Sequence, residues 1–265
     1  MHSLKITIVT CLVQKQIIIL KLKMTKRFAL LVLLNLFMVG LFASDSMDRV
    51  DKNIGITRLT DKAYLIQSSY SCNGSLDCNH LLITDKEDLV LVNTPANDSL
   101  TVILLDCIEK KFKRKVTTVI VSHFHDDSSG GLPETNKRGI ISYGLNKTRD
   151  LLNSQNKIID IVFKDSLKIP LQTTEIQLFY FGAGHSIDNI VTWIPGEKIL
   201  FGGCLLKSLT ARDKGNIKDA DIPAWPITVQ KVKARFLDAK IVIPGHSAIG
   251  DNSIFDHTIR IVGMK

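Results

Sequence analysis

The sequence predicts a mixed α/β sandwich built as one large domain. Three observations predict it. Runs of β-formers alternate with amphipathic helical stretches, the strands are joined by both tight turns and long crossovers, and several strands end in histidine or cysteine. Of the 265 residues 45% are hydrophobic, and no Pro/Gly/Ser-rich or single-sign charged linker divides the chain, so one sizeable core is expected. No repeat of 20 to 50 residues is visible.

The N-terminus is read separately. "MTKRFALLVLLNLFMVGLFAS" has Lys26 and Arg27, an apolar run from Phe28 to Ala43 broken only by Asn35 and Gly40, and a small residue before a polar start. That is the pattern of a secretory signal peptide. The run falls short of the roughly 20 residues a spanning helix needs, and no cysteine follows it to take a lipid. Residues 1–43 are therefore assigned to an upstream segment and signal peptide, with Met24 the better start, and residues 44–265 to the domain. No stable membrane insertion is expected after cleavage, and the periplasm is the expected destination. Without residues 1–43 the formal charge falls from +8 to +2, with 28 basic against 26 acidic residues. The high pI belongs to the leader, which argues against a nucleic-acid partner. An exported chain also meets an oxidising compartment, where Cys72, Cys78, Cys107 and Cys204 would reside.

The domain's elements follow in order. "GITRLTDKAYLIQSSY" and "HLLITDKEDLVLVNTP" are β-rich runs interrupted by Asp-Lys turns, each a hairpin, and "KVTTVIVSH" is a buried strand. Between the second and third lies "NDSLTVILLDCIEKKFK", with Asn97 or Asp98 as cap, a face of Leu100, Ile103, Leu104, Cys107 and Ile108, and lysines at its end. It predicts a helix returning to the sheet. In the second half "NKTRDLLNSQN" predicts a short helix, and "TEIQLFYFG", "IVTWIPGEKILFGG" and "AKIVIPGH" predict strands. "TVQKVKARF" predicts a helix with Val229, Val232 and Phe236 on its apolar side.

Chemistry concentrates where these strands stop. His123 and His125 follow "TTVIV", His185 follows "LFYFGAG", His246 follows "IVIPG", and Cys204 follows "KILFGG". Strand ends on one sheet edge converge in space, and His and Cys are preferred zinc ligands. The other histidines, His2, His80 and His257, have no such place. Alone, each residue reads blandly: a loop histidine, a small buried cysteine, a turn or cap at Asp126-Asp127. Together, His-x-His-x-Asp, Gly-His, Gly-Gly-Cys and Gly-His predict metal binding by His123, His125, Asp127, His185, Cys204 and His246.

These motifs resemble the subclass B1 metallo-β-lactamases, most closely the imipenemase-type enzymes. The matching segments are "SHFHDDSSGGL", "GAGHSIDNIVTWIPGEKILFGGCLLKS", "GNIKDADIPAWP" and "AKIVIPGHSAIGD", in family order across roughly residues 54 to 255. The resemblance implies an αβ/βα sandwich of two mixed β-sheets flanked by helices, and a shallow groove holding two Zn2+ per chain. One zinc falls to His123, His125 and His185, the other to Asp127, Cys204 and His246. It implies hydrolysis of the β-lactam ring of penicillins, cephalosporins and carbapenems by a metal-bound hydroxide, and with it antibiotic resistance. Asp127 would orient that nucleophile. Lys207 occupies the position that pairs with the substrate carboxylate, and Asn216 matches an asparagine near the lactam carbonyl, although Gly-Asn is also an ordinary turn signal. Asn189 and Trp193 are assigned to the fold. The expected partner is a small-molecule β-lactam, and the expected state a monomer.

Within the wider superfamily, thioesterases and lactonases typically follow the Asp with a second His and use a bridging Asp; here Ser128 and Cys204 stand at those positions. A non-catalytic exported zinc-binding protein is the alternative of a different class. Departures from the family pattern are Asn93 for an aspartate, Ala96 for a tryptophan, "HSID" for His-Thr-Pro-Asp, and a tail that ends early at "DHTIRIVGMK". Finally, "SYSCNGSLDCNH" falls where the family carries a hairpin loop over the groove. Cys72 and Cys78 flank a turn signal there, a candidate disulfide in an exported chain, with free thiols as the alternative.

Overall fold

Thirteen strands form two sheets among the described residues, 46–155 and 157–264 of a computed structural model. The leader assigned to residues 1–43 lies outside them. The larger sheet runs in chain order: β1 (Asp48–Asp51), β2 (Ile54–Arg58), β3 (Ala63–Ser68), β4 (Cys78–Asp85), β5 (Asp88–Val92), β6 (Thr118–Ile120), β7 (Ile141–Leu145) and β8 (Ile161–Phe163). Hairpins make β1 to β5 antiparallel, as the Asp-Lys turns predict, whereas β5 to β8 are parallel and need crossovers. The smaller sheet has the order β13 (Ile241–Pro244), β12 (Ile199–Gly203), β11 (Val191–Ile194), β10 (Glu175–Phe179), β9 (Ser166–Pro170), with only β12 and β13 parallel.

The helices follow the crossovers. They are α1 (Asp98–Phe112), α2 (Asp126–Ser129), α3 (Leu132–Lys137), α4 (Asn146–Leu152), α5 (Ala224–Arg235) and α6 (Ser253–Gly263). Asn97 caps α1 by accepting from the Leu100 N–H at 3.0 Å, and Lys113 ends it in a left-handed conformation. The buried face of α1 is Leu100, Thr101, Leu104, Leu105 and Ile108, rotated slightly from the predicted one, so Ile103 and Cys107 lie at its edge. The segment "SIFDHTIRIVG" forms α6, and Ile254, Phe255, Thr258, Ile261 and Val262 bury one face of it.

Alternation in the strands builds three apolar layers. Between the sheets, Leu81 and Ile83 of β4 and Val90 and Val92 of β5 meet Ile176, Leu178, Ile199 and Phe201. Leu82 points to the other face, into the layer under α1, and Leu200 likewise joins the layer under α5 with Trp225, Val229 and Val232. With both faces covered, the sheets are near-continuously apolar. The chemistry is left to the strand ends. The predicted mixed α/β sandwich of two sheets flanked by helices is the observed fold.

Candidate metal centre

β6 delivers His123 and His125 and runs into α2, a single helical turn carrying Asp127. The chain leaving β10 delivers His185, β12 delivers Cys204, and β13 delivers His246. The close approach of β12 and β13 depends on glycine. A Cβ on Gly245 would sit 2.4 Å from Cys204 Sγ, and Gly203 turns at φ +53 to release the cysteine.

The six predicted ligands converge. The rings of His123, His125 and His185 stand edge to face, with centroids 4.9 to 5.1 Å apart. His125 Nδ1 lies 3.1 Å from His185 Nε2, close to the spacing of about 3.4 Å that two nitrogens adopt on one tetrahedral zinc with bonds of about 2.0–2.1 Å. Asp127 spans the remaining donors: Oδ1 is 3.3 Å from His123 Nε2, while Oδ2 is 2.9 Å from His246 Nε2 and accepts from Cys204 Sγ at 3.0 Å. Two overlapping donor sets result, His123/His125/His185 and His123/Asp127/Cys204, with His246 against the second.

The donor set fits zinc on the structure's own terms. His123 Nε2 is buried with no hydrogen-bond partner, a loss that a metal bond would make good. The far nitrogens of three rings are held instead: His123 Nδ1 by Ser122 Oγ at 3.2 Å, His125 Nε2 by Asp219 Oδ2 at 3.0 Å, and His246 Nδ1 by the Asp77 carbonyl at 3.0 Å. Such contacts fix which nitrogen faces the metal. Beneath them, Asn93 Oδ1 accepts from Ser122 N at 2.9 Å and Ser128 Oγ at 2.7 Å, so the amide at the family's aspartate position still organises the ligand loop.

Electrostatics favour a dication. Burial alone would keep Asp127 neutral, yet the charges of His123 and His246 and the hydrogen bond from His246 hold its carboxyl well below the usual range. Cys204 ionises more readily than an ordinary thiol: burial and Asp127 oppose it, and His246 and His123 overcome them. The Cys204 charge raises His246 strongly, and Asp127 and Cys204 raise His123 against the pull of burial. His185, buried beside His123, Lys207 and His125, is driven down to about 2 and stays neutral. The ionised Asp127 and Cys204 draw positive charge, which protons on His123 and His246 can supply. A metal cation can replace them.

The cluster opens into a groove of about 640 Å3 lined by Tyr70, Asp126, Asp127, Lys207 and Asn216 among others. Lys207 Nζ sits 5.2 Å over the Trp225 ring, its pKa lowered by burial. Asn216 reaches the groove, but its Oδ1 also accepts from the Lys218 N–H at 3.1 Å, so the turn reading of Gly-Asn is present as well. Asn189 serves the fold by accepting from Ser186 N and donating to the Gly182 carbonyl, and Trp193 packs in the layer under α5.

One expectation is corrected. All four cysteines among the described residues are free. Cys78 is committed to β4, buried and bridged to the His246 backbone, whereas Cys72 is exposed at φ +55 with its sulfur 3.8 Å from Asn97 Nδ2. Side-chain turns close the loop instead: Asn73 Oδ1 accepts from Ser69 Oγ and Ser75 N, and Asp77 Oδ1 from Tyr70 N. Sequence reasoning also missed Asp219, Ser122 and the Asp126–Lys157 ion pair at 2.7 Å. Asp219, in "GNIKDAD", and Ser122 and Asp126, in "SHFHDDSSGGL", had a signal in their place in matching segments; Lys157 had none.

A family described as the metallo-β-lactamase superfamily matches residues 74–246. The chain is 39% identical over 232 residues to a type 2 metallo-β-lactamase of Bacteroides fragilis, covering 86% of this chain and 93% of that one. It is 33% identical over 220 residues to the type 2 enzyme of Bacillus cereus, covering 82% of each. A solved metallo-β-lactamase from Pontibacter korlensis superposes with a TM-score of 0.76 at 30% identity, over 80% of this chain and all of that one. With the three-histidine and Asp-Cys-His sites assembled as above, the chain belongs to the metallo-β-lactamases, of the subclass B1 type.

Proposed function

We propose that this chain opens the β-lactam ring using two zinc ions, one held by His123, His125 and His185, the other by Asp127, Cys204 and His246. The observation that carries this is the convergence of six donors from four strand ends, with a buried, unpartnered His123 Nε2 between the two sets. When bound, zinc supplies a water that ionises near neutral pH and a Lewis acid beside it.

The remaining work belongs to the chain. Asp127, ionised and held by His246 and Cys204, orients the attacking water by accepting its hydrogen bond. Asp219 keeps the His125 ring from rotating. Lys207 binds the substrate's ring carboxylate, in a part of the groove where burial has stripped the ammonium of water and so strengthens a charge-assisted contact. Asn216, its oxygen committed to the local turn, offers its amide hydrogens to the lactam carbonyl. Ser128, where the wider superfamily places a second histidine, spends its hydroxyl on Asn93, which supports a lactam-hydrolysing site over the thioesterase or lactonase alternative.

The substrates are taken to be penicillins, cephalosporins and carbapenems, and the domain is taken to act as a periplasmic monomer that confers resistance. Among the described residues no helix is long and apolar enough to cross a membrane. The test of Lys207 is a split between constants. Lys207→Ala should raise KM by about 10- to 150-fold, the worth of a charge-assisted hydrogen bond of about 1.5–3 kcal/mol, while kcat changes much less. Unchanged kcat/KM on several β-lactams would reject the role.

A further inference from the structure

The sequence contains one Asn-Gly pair, Asn73-Gly74. It lies in the loop between β3 and β4, whose Tyr70, Ser71 and Asp77 line the groove. In such a pair the backbone nitrogen after the asparagine can approach the side-chain carbonyl carbon with little hindrance, because glycine carries no Cβ. Gly74 also adopts φ +86, a conformation that favours glycine. Asn73 itself is exposed.

The hydrogen bonds around the pair suit a reaction between its two halves. Asn73 Oδ1 accepts from Ser69 Oγ at 3.0 Å and from Ser75 N at 3.0 Å. Those donors stand where negative charge would develop if a nucleophile added to Cγ, the arrangement that stabilises an oxyanion. The Ser75 bond closes an Asx turn, which folds the side-chain carbonyl back along its own main chain toward Gly74. Gly74 N–H donates to Asn53 Oδ1 at 3.0 Å, an acceptor that draws on the proton this nitrogen must lose. Arg49 Nη2 donates to the Gly74 carbonyl at 2.6 Å and brings a positive charge beside the developing anion.

We propose that Asn73 is a self-modification site, at which the loop's own donors promote conversion of the asparagine to aspartate and isoaspartate. Gly74 N bonds to Asn73 Cγ and gives up its proton. The Cγ–Nδ2 bond breaks, and the nitrogen leaves into water as ammonia with that proton. Water then opens the cyclic imide: attack at the side-chain carbonyl gives aspartate, and attack at the main-chain carbonyl gives isoaspartate. Both products carry a carboxylate in place of the amide, and isoaspartate lengthens the backbone by a methylene. The oxygen is drawn away from Ser69 and Ser75, whose bonds to it close the loop, so conversion loosens the segment that overhangs the groove.

The test ages native and Ser69→Ala protein in mildly alkaline buffer, zinc-loaded and folded in one arm, chelated and unfolded in urea in the other. Peptide mass spectrometry follows the mass gain of amide-to-acid conversion and the isoaspartate at position 73. In the folded native protein Asn73 should convert faster than in the urea-unfolded chain. Asn153 and Asn252, each followed by serine, serve as references in the same sample and should convert at least about ten-fold more slowly. Ser69→Ala removes one donor to Oδ1 and should slow conversion by about two- to ten-fold, the worth of one hydrogen bond. That slowing should appear in the folded protein and vanish in urea, which separates help from the folded loop from ordinary chain chemistry. Amide exchange across residues 69 to 77 should be faster in the converted protein than in the unconverted. Slower conversion of native Asn73 in the fold than in urea overturns the proposal without reference to the variant. A folded Ser69→Ala that converts as fast as the native protein, or faster, overturns it as well.

Discussion

Replacing His80 with glutamine should make the protein less sensitive to acid. His80 lies on β4, fully buried, with Nε2 2.8 Å from Ser68 Oγ and Nδ1 unpartnered near the Asn93 main chain. A neutral ring needs one donor and one acceptor; a protonated ring would point a second N–H into a site with no acceptor in hydrogen-bonding geometry. Burial accordingly lowers its pKa from 6.5 to about 4, with Asp127 only partly opposing. The sign follows from proton counting. Below pH 6.5 the unfolded chain takes up a proton at this ring while the folded one does not, so folding stability is intact above that pH and is lost as the pH falls toward 4. A depression of that size, at about 1.4 kcal/mol per pH unit, is worth about 3 kcal/mol. Urea unfolding of the chelator-treated native and His80→Gln proteins, followed by tryptophan fluorescence from pH 7.5 to 4, measures it. Chelation removes zinc-linked protons from the comparison. The native protein should lose about 3 kcal/mol more than the variant across that window. Equal losses, or a His80 ring resonance titrating near 6.5, would show that burial of His80 carries no such cost.

Cys204→Ser replaces a thiolate by a neutral hydroxyl, so metal analysis should find close to one zinc per chain and sharply reduced hydrolysis; two tightly held zincs would remove Cys204 from the ligand set. Thiol titration of denatured, unreduced, metal-free residues 44–265 should count four thiols, and a count of two would restore the Cys72–Cys78 bridge. Lys207 is charged only below its burial-lowered pKa, so KM should begin to rise at a lower alkaline pH than for an ordinary lysine of about 10.4. A flat KM through that range would count against it.

Much of this molecule was legible in its sequence because the informative signals are local. Val119-Ile120-Val121 before His123, the Asp-Lys turns, and Asn97 before an apolar helical face each specify an element through a few neighbouring residues. The six ligands were legible for a related reason: strands that end in His or Cys can do little with them unless the ends meet. What escaped depends on partners far along the chain. His125 finds Asp219 at a separation of 94 residues, and Lys157 finds Asp126 across 31. Neither is encoded by periodicity. His80 looks like one polar residue in a strand, and its burial against Ser68 follows only from the β3–β4 register. Cys72 and Cys78 misled because their spacing in sequence suits a bridge, whereas strand pairing turns Cys78 toward His246 and turns built on Asn73 and Asp77 close the loop without it.

Six residues that hold two zinc ions, and hydrolysis that depends on those ions, are what the proposed function requires. Zinc titration of the chelator-stripped protein, with β-lactam turnover followed at each addition, tests it most directly. The stripped protein should show no turnover, binding should saturate at two zinc ions per chain, and activity should return as they bind. Turnover in the stripped protein, or saturation at a single zinc with full activity, would contradict it.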